Sequence, residues 1–155
     1  MTDPLLNIVL ICPQIPNNTG NIGRTAMATG CRLHLVHPIA FDLDEKAVRR
    51  AGLDYWHLLD VKEHASWEAF LENEKPKNAW LFTTKTEKPL WEARFSKGDY
   101  FLFGSEQHGV PNEIHDWVGE QASLTLPMVN DARSLNLATA VCAAVYEGFR
   151  QLNAS

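Results

Sequence analysis

The chain has 155 residues, of which 45% are hydrophobic and 21% charged, and its formal net charge is −5. These values are typical of one folded domain spanning residues 1–155. The negative net charge argues against a protein that binds nucleic acid through an overall positive charge. The cysteines and histidines show no metal-ligand spacing, and the longest mostly apolar run is too short to cross a bilayer. We therefore expect a soluble, cytoplasmic protein with no metal.

Apolar segments of strand type alternate with helix-like segments along the chain. Strands are predicted at residues 7–12, 33–36, 55–61, 80–83, 100–103 and 122–126. A loop and helix are predicted at 18–29, and further helices at 44–51, 66–74, 111–117 and 134–152. Gly30 is expected to stop the first helix, and Ser66 to cap the helix that follows it. This alternation favours an α/β fold with a mostly parallel sheet covered on both faces.

Three polar loops follow apolar strand-like segments. They are NNTGNIGRT at 17–25, GSEQHG at 104–109, and the segment 127–136, which begins PMVN and ends RSLN. In open parallel sheets, ligands bind beyond the carboxyl ends of the strands. We therefore expect the three loops to meet at one edge of the sheet and to form a composite site.

Individual residues in these loops have alternative interpretations. Arg24 lies at an otherwise apolar helix start and needs an anionic partner, either Glu106 or a substrate phosphate. Asn136 needs hydrogen-bond partners in a neighbouring loop or a ligand, whereas Ser134 can simply cap the last helix. Gly104 can let a ligand approach the main chain or can serve a plain tight turn.

Two further features allow more than one function. Leu126, Pro127 and Met128 offer apolar side chains and free carbonyls suited to a flat ring such as adenine, although Met128 is equally well explained as core. Glu106 and His108 lie two residues apart, and an acid–base pair of that kind would make the protein a small nucleotide-binding hydrolase. The sequence contains no dinucleotide-binding fingerprint and no P-loop.

Taken in order, the three motifs resemble those of the SpoU-type RNA 2′-O-methyltransferases of the SPOUT superfamily. The matching segments are NTGNIGR at 18–24, FGSEQHG at 103–109, and LPM at 126–128 with SLNLA at 134–138. The segment AGLDY at 51–55, and the lack of an added RNA-binding domain, resemble the minimal tRNA wobble-nucleotide methyltransferases. The resemblance implies a parallel-sheet α/β knot fold with a deep C-terminal trefoil knot.

The same resemblance implies a reaction and its site. It implies transfer of a methyl group from S-adenosylmethionine to the ribose 2′-hydroxyl of tRNA nucleotide 34, a cytidine or modified uridine. The implied catalytic residues are Asn18, Arg24, Glu106, Ser134 and Asn136. The implied cofactor contacts are Phe82, Gly104, Leu126, Met128, Ser134 and Leu137. The alternatives within the family are a catalytically silent RNA-binding relative and an enzyme for another tRNA or rRNA site.

The resemblance also implies partners, namely a second copy of the chain and a tRNA anticodon stem-loop. The last helix is apolar nearly all round, and we expect a homodimer that buries part of it near Tyr146. The cations expected near the site edge are Arg24, Arg32, Lys46, Arg49, Arg50, Lys85, Lys88 and Arg133. Across a dimer these residues could form a strip that cradles the RNA.

Overall fold

A computed structural model describes residues 3–43, 54–129 and 134–153 of the chain. Its strands are β1 (Asn7–Ile11), β2 (Arg32–Val36), β3 (Val61–His64), β4 (Ala79–Phe82), β5 (Tyr100–Phe103) and β6 (Ser123–Leu124). Its helices are α1 (Pro16–Thr29), α2 (Trp67–Glu74), α3 (Asn112–Val118) and α4 (Leu137–Asn153). Short 3₁₀ turns occupy Trp56–Leu58, Leu90–Glu92 and Glu120–Ala122.

The strands form one parallel sheet in the order β3-β2-β1-β5-β4-β6. The chain therefore winds toward one edge through β2 and β3, and toward the other through β4, β5 and β6. The direction changes between β1 and β5, which are neighbours. A crevice opens at such a switch point beyond the carboxyl ends of the strands, so the sheet order itself locates the region where a ligand can bind. The predicted parallel α/β sheet is confirmed.

Successive residues of a strand point to opposite sides of the sheet, so these apolar strands present apolar side chains on both faces. Helices cover both faces. Ile8 and Leu10 belong to the apolar cluster that also contains Ile22 of α1 and Val141 of α4. The cluster on the opposite face contains Phe70 of α2 together with Val9, Ile11, Leu102 and Ile114. The apolar character of both faces explains why the strands read as continuous hydrophobic runs in the sequence.

The ends of the helices follow local sequence signals in three cases. Gly30 ends α1 in the left-handed conformation at φ 71°, as predicted. Ser66 caps α2, because its Oγ accepts a hydrogen bond from the Ala69 amide at 3.0 Å. For α4, the side chain of Asn136 accepts from the Thr139 amide at 3.2 Å, and the helix begins at Leu137. The expectation that Ser134 starts and caps this helix is therefore wrong.

One predicted strand is also wrong. Residues 56–58 of the expected 55–61 strand form a 3₁₀ turn, and β3 lies later, at Val61–His64. The sequence of β3 is VKEH, and its central Lys62 and Glu63 are exposed at the sheet edge, so no apolar pattern marks it. The predicted helix at 44–51 lies outside the described residues. None of the described helices combines the length and apolar character needed to cross a membrane.

Candidate active site

A cavity of about 580 Å³ lies beyond the carboxyl ends of β4, β5 and β6. Its walls include all six residues that the family resemblance implies as cofactor contacts, which are Phe82, Gly104, Leu126, Met128, Ser134 and Leu137. Glu106 and Asn136 line the same cavity. Its volume is in the range of small-molecule sites, and its mixture of apolar side chains and loop backbone is typical of them.

A chain of hydrogen bonds joins the three polar loops beside this cavity. The Asn136 amide group donates to Asn18 Oδ1 at 3.1 Å, and Asn18 Nδ2 donates to Glu106 Oε2 at 3.2 Å. These contacts join residues 118 and 88 positions apart in the sequence. The structure therefore brings the three loops together at one edge of the sheet, and Asn18, which is buried, stands directly behind the cavity wall.

The Glu106 carboxylate is turned toward the start of α1. Besides Asn18, it accepts from the backbone amides of Gln14 at 2.8 Å and Ile15 at 2.9 Å. Its two oxygens thus accept from three donors at the N-terminal end of a helix. Neither Arg24 nor His108 is among the partners of Glu106 in the described part of the chain. The acid–base pairing of Glu106 with His108 therefore has no support in this geometry.

Arg24 lies farther along α1, on its exposed side. Its Cζ is 5.0 Å from the centroid of the Tyr55 ring, and the Tyr55 hydroxyl donates to the Gly20 carbonyl of the same helix. Burial raises the pKa of Tyr55, although Arg24 opposes the increase. Gly23 packs against the same segment, because a Cβ there would lie 2.8 Å from Leu59 Cδ1 and 3.5 Å from the Tyr55 ring. The guanidinium is held by a cation–π contact and does not itself line the cavity.

Gly104 has a structural reason to be glycine. A Cβ at this position would overlap the backbone of Gly109, because the two residues face each other across the turn that follows β5. Ser105 and Gly109 close this turn with two backbone hydrogen bonds of 3.1 Å. The turn lines the cavity along its whole length. Any side chain at residue 104 would therefore deform a wall of the site.

Several residues at or beside the site were not identified from the sequence. His115 lines the cavity, as does Lys85, which was expected near the site edge, and the pKa of His115 is lowered by burial and, next, by the charge of Lys85. Gln14 contacts the turn after β5, and Tyr55 contacts Arg24. The strand-end rule could have identified Gln14, since it comes shortly after β1 at the same edge. Nothing in the local sequence marks His115.

The expected strip of cations is only partly at this edge. Arg32 begins β2, at the opposite end of the sheet, and pairs with Asp60 at 2.8 Å, so its predicted location near the site edge is wrong. Lys88 donates to the Gln121 carbonyl at 2.8 Å, and Lys85 lies at the cavity. Lys46, Arg49, Arg50 and Arg133 lie outside the described residues.

A second polar cluster lies away from the cavity and is buried apart from the exposed Asn73 at its end. The Asn73 amide group donates to His64 Nδ1 at 3.3 Å, His64 Nε2 lies 3.0 Å from His34 Nδ1, and His34 Nε2 lies 2.8 Å from Asn7 Oδ1. One assignment of neutral tautomers satisfies every ring nitrogen, with each ring donating through Nε2. His34, His64 and Glu74 also come close enough to hold an ion, but their nitrogens are already paired.

Comparisons with known proteins agree with this geometry. Residues 5–146 match the family described as SpoU rRNA Methylase. The tRNA (cytidine(34)-2′-O)-methyltransferase of Saccharophagus degradans is 46% identical over 148 residues, which cover 96% of each chain. A solved structure described as giving insights into the 2-OH methylation of C/U34 on tRNA has a TM-score of 0.87 and 46% identity, covering 97% of both chains.

A more distant structure is that of an AdoMet-bound rRNA methyltransferase from Sinorhizobium meliloti. It has a TM-score of 0.83 and 26% identity, and the match covers 97% of this chain but 58% of the other. The family match spans most of the chain, and the relative from Saccharophagus covers nearly all of it at well over 30% identity. The chain therefore belongs to the SpoU methylase family.

Proposed function

We propose that this protein methylates the ribose 2′-hydroxyl of the wobble nucleotide, position 34, of tRNA, with S-adenosylmethionine as the methyl donor. The observation that carries the proposal is the hydrogen-bonded chain Asn136–Asn18–Glu106, which joins the three family motifs at the wall of the cavity. The near full-length relatives with this activity support the same substrate.

The cavity fits the cofactor in size and chemistry. An adenosyl group needs an apolar slot with accessible main chain, and Phe82, Leu126 and Leu137 contribute apolar side chains beside the turn at Gly104. Met128 and Ser134 complete the set of residues that would hold it. When bound there, S-adenosylmethionine supplies a sulfonium methyl group that an oxygen nucleophile can accept.

The protein's own task is to activate and orient a weak nucleophile, the 2′-hydroxyl. The family resemblance implies a catalytic role for Arg24, but a guanidinium holds its proton too tightly to act as a base. We therefore assign Arg24 to the phosphate beside the target ribose, where its charge lowers the pKa of the hydroxyl. The Tyr55 ring holds the Arg24 guanidinium through the cation–π contact. Ser134 and Asn136 are exposed beside the cavity, where they can orient the ribose.

The assembly we propose is a homodimer that forms through α1 and α4. These helices pack against each other, and each leaves a large apolar side chain in contact with solvent. Met27 of α1 is 44% exposed and Tyr146 of α4 is 46% exposed. A second copy would cover these side chains. Sedimentation at low micromolar concentration should therefore show a species of twice 17.4 kDa, and a monomer alone would contradict the dimer.

The trefoil knot and the cytoplasmic location complete the proposal. The chain passes from β6, at one edge of the sheet, to α4, which packs against α1 beneath the central strands. We propose that it threads a loop on this path, as the family resemblance implies. An experimental backbone trace without threading would contradict the knot. Fractionation of cells should place the protein with tRNA in the cytoplasm.

The activity is tested with purified protein, labelled S-adenosylmethionine and tRNA transcripts or native tRNA. Mass mapping should find one new 2′-O-methyl group at nucleotide 34, and an isolated anticodon stem-loop should retain part of the activity. The matched control is the same RNA with a 2′-deoxyribose at position 34, which should accept no methyl group. Methylation of another tRNA site or of rRNA would contradict the substrate, and cofactor binding without transfer to any RNA would indicate the catalytically silent alternative.

A further inference from the structure

Gln14 makes a reciprocal pair of hydrogen bonds with the turn that follows β5. Its backbone amide donates to Glu106 Oε1 at 2.8 Å, and its side-chain Oε1 accepts from the backbone amide of Gln107 at 2.9 Å. The two residues it contacts are neighbours in the turn, and they lie more than 90 positions away in the sequence. Each partner therefore satisfies a polar group that the other segment cannot satisfy locally.

The two hydrogen bonds of this pair have different structural roles. Helix α1 begins at Pro16 and has no side-chain cap of its own, since the residue at its N-cap is Ile15. The Glu106 carboxylate supplies the missing acceptor at the amides of Gln14 and Ile15. In return, the Gln14 side chain fixes the Gln107 amide at the tip of the turn. Removing that side chain leaves the cap on α1 intact, because the cap uses the backbone of Gln14.

We propose that Gln14 is a positioning residue that holds the turn at 104–109 in the shape that accepts the cofactor. This inference rests on the proposed function only for the identity of the cofactor. The turn lines the cavity throughout, whereas Gln14 does not line it. Gln14 therefore acts on the cofactor through the turn. Loss of its acceptor should weaken cofactor binding and leave α1, which carries Arg24, in place.

The test compares Gln14→Met, which keeps the shape but removes the acceptor, with Gln14→Glu, which keeps an acceptor for the Gln107 amide. Calorimetry without RNA should show S-adenosylmethionine binding about tenfold more weakly to Gln14→Met, the usual effect of one lost hydrogen bond. KM for the cofactor should rise by the same factor, while kcat at saturation and KM for tRNA stay within about twofold. Gln14→Glu should recover most of the affinity.

Gln151→Met is the matched structural control. Gln151 on α4 also accepts from a distant backbone amide, that of Phe95 at 2.9 Å, but it does not line the cavity. This variant should lower the thermal transition without changing the affinity for S-adenosylmethionine. Hydrogen exchange of the free protein gives a readout that needs no ligand. The peptide containing Gln107 should exchange faster in Gln14→Met, and peptides from α1 should not.

The outcomes separate this inference from the proposed function. Unchanged cofactor affinity in Gln14→Met would overturn the role of Gln14, and so would equal losses in affinity, kcat and KM for tRNA without recovery in Gln14→Glu. If the wild-type protein binds S-adenosylmethionine but leaves nucleotide 34 unmodified, the substrate assignment fails while the role of Gln14 is still supported by binding and exchange. Unchanged exchange at Gln107 would contradict the proposed hydrogen bond itself.

Discussion

Two hydrogen-bonded chains of polar side chains stand out in the described part of this protein, and they differ in what surrounds them. The chain at the cavity runs through Asn136, Asn18 and Glu106, and both of its end residues line the cavity. The core chain runs through His64 and His34 to Asn7, and all three residues are at most 3% exposed. The first leaves polar groups available to a ligand, whereas the second is internally satisfied.

The difference between the two chains shows how a ligand-binding site can be distinguished from a structural hydrogen-bond network. A strongly lowered pKa is often a mark of a functional residue, and His34 has one, at about 3, chiefly because burial disfavours its charged form. Yet His34 is fully buried and does not line the cavity, and its neighbours are the Phe70 ring at 5.8 Å between centroids and Glu74 Oε1 at 3.9 Å from Nε2, among others. Glu106 lies at the cavity and belongs to the hydrogen-bonded chain that joins three separate loops. Connectivity and access therefore identify the site better than the pKa shift does.

The largest expected effect comes from Arg24, on the helix that Glu106 caps. Arg24→Ala should lower kcat for tRNA methylation by about 10³-fold, since removing one group that stabilises developing charge typically costs 10² to 10³. Arg24→Lys should also be poor, because a point charge does not replace the planar fork. Cofactor affinity and the thermal transition should stay near wild type. A near-normal rate in both variants would remove Arg24 from the reaction.

A second test compares a glycine at the cavity wall with a glycine in the apolar core. Gly104→Ala would place a Cβ against the Gly109 backbone and deform the cavity wall, so calorimetry should show at least about a hundredfold weaker binding of S-adenosylmethionine. Gly148→Ala would place a Cβ 2.7 Å from Leu6 Cδ1 in the core. It should lower stability and leave cofactor affinity unchanged. Equal cofactor affinity in both variants would mean that the turn does not shape the site.

Sequence reasoning predicted the elements whose pattern is local. The apolar runs of β1, β2, β4 and β5 are buried on both faces, so their composition alone marks them as strands. Because carboxyl ends of parallel strands share an edge, the meeting of three distant loops was also predictable. β3 was not, since an exposed edge strand needs no apolar pattern.

The connections within the site could not be predicted, because they depend on packing between distant segments. Nothing near Glu106 in the sequence indicates that its carboxylate caps α1, some 90 residues away. The expected pairing of Arg24 with Glu106 has no counterpart among the described contacts, where Glu106 bonds to Asn18 instead. Likewise, the capping of α4 by Asn136 instead of Ser134 depends on how the loop before it approaches.

A third test removes the centre of the core chain. His34→Leu leaves Asn7 Oδ1 and His64 Nε2 without their partner in an apolar interior, which should lower the free energy of unfolding by about 2 kcal/mol. Chemical denaturation would measure the change. Affinity for S-adenosylmethionine and kcat at a temperature where the variant is folded should remain within about twofold. A large loss of activity in fully folded His34→Leu would break the distinction between the two chains.

The smallest expected effect is a dependence of stability on pH that His34 controls. Burial lowers the pKa of His34 to about 3 and also lowers that of His64, so between pH 6.5 and 3 the unfolded chain binds protons that the folded chain does not. The contribution of these histidines to stability is therefore complete above about pH 6.5 and is lost as the pH falls. For His34 the loss between pH 7 and pH 5.5 should be about 1 kcal/mol. The pKa of Glu74 is also lowered, but from 4.5, so this carboxylate changes the stability mainly below the pH range from 7 to 5.5.

Urea denaturation at pH 7 and pH 5.5 should show a smaller difference in the free energy of unfolding for His34→Leu than for the wild type. Equal differences in the two proteins would mean that His34 takes up a proton in the folded state, and the core chain would then be a titrating network instead of a neutral one.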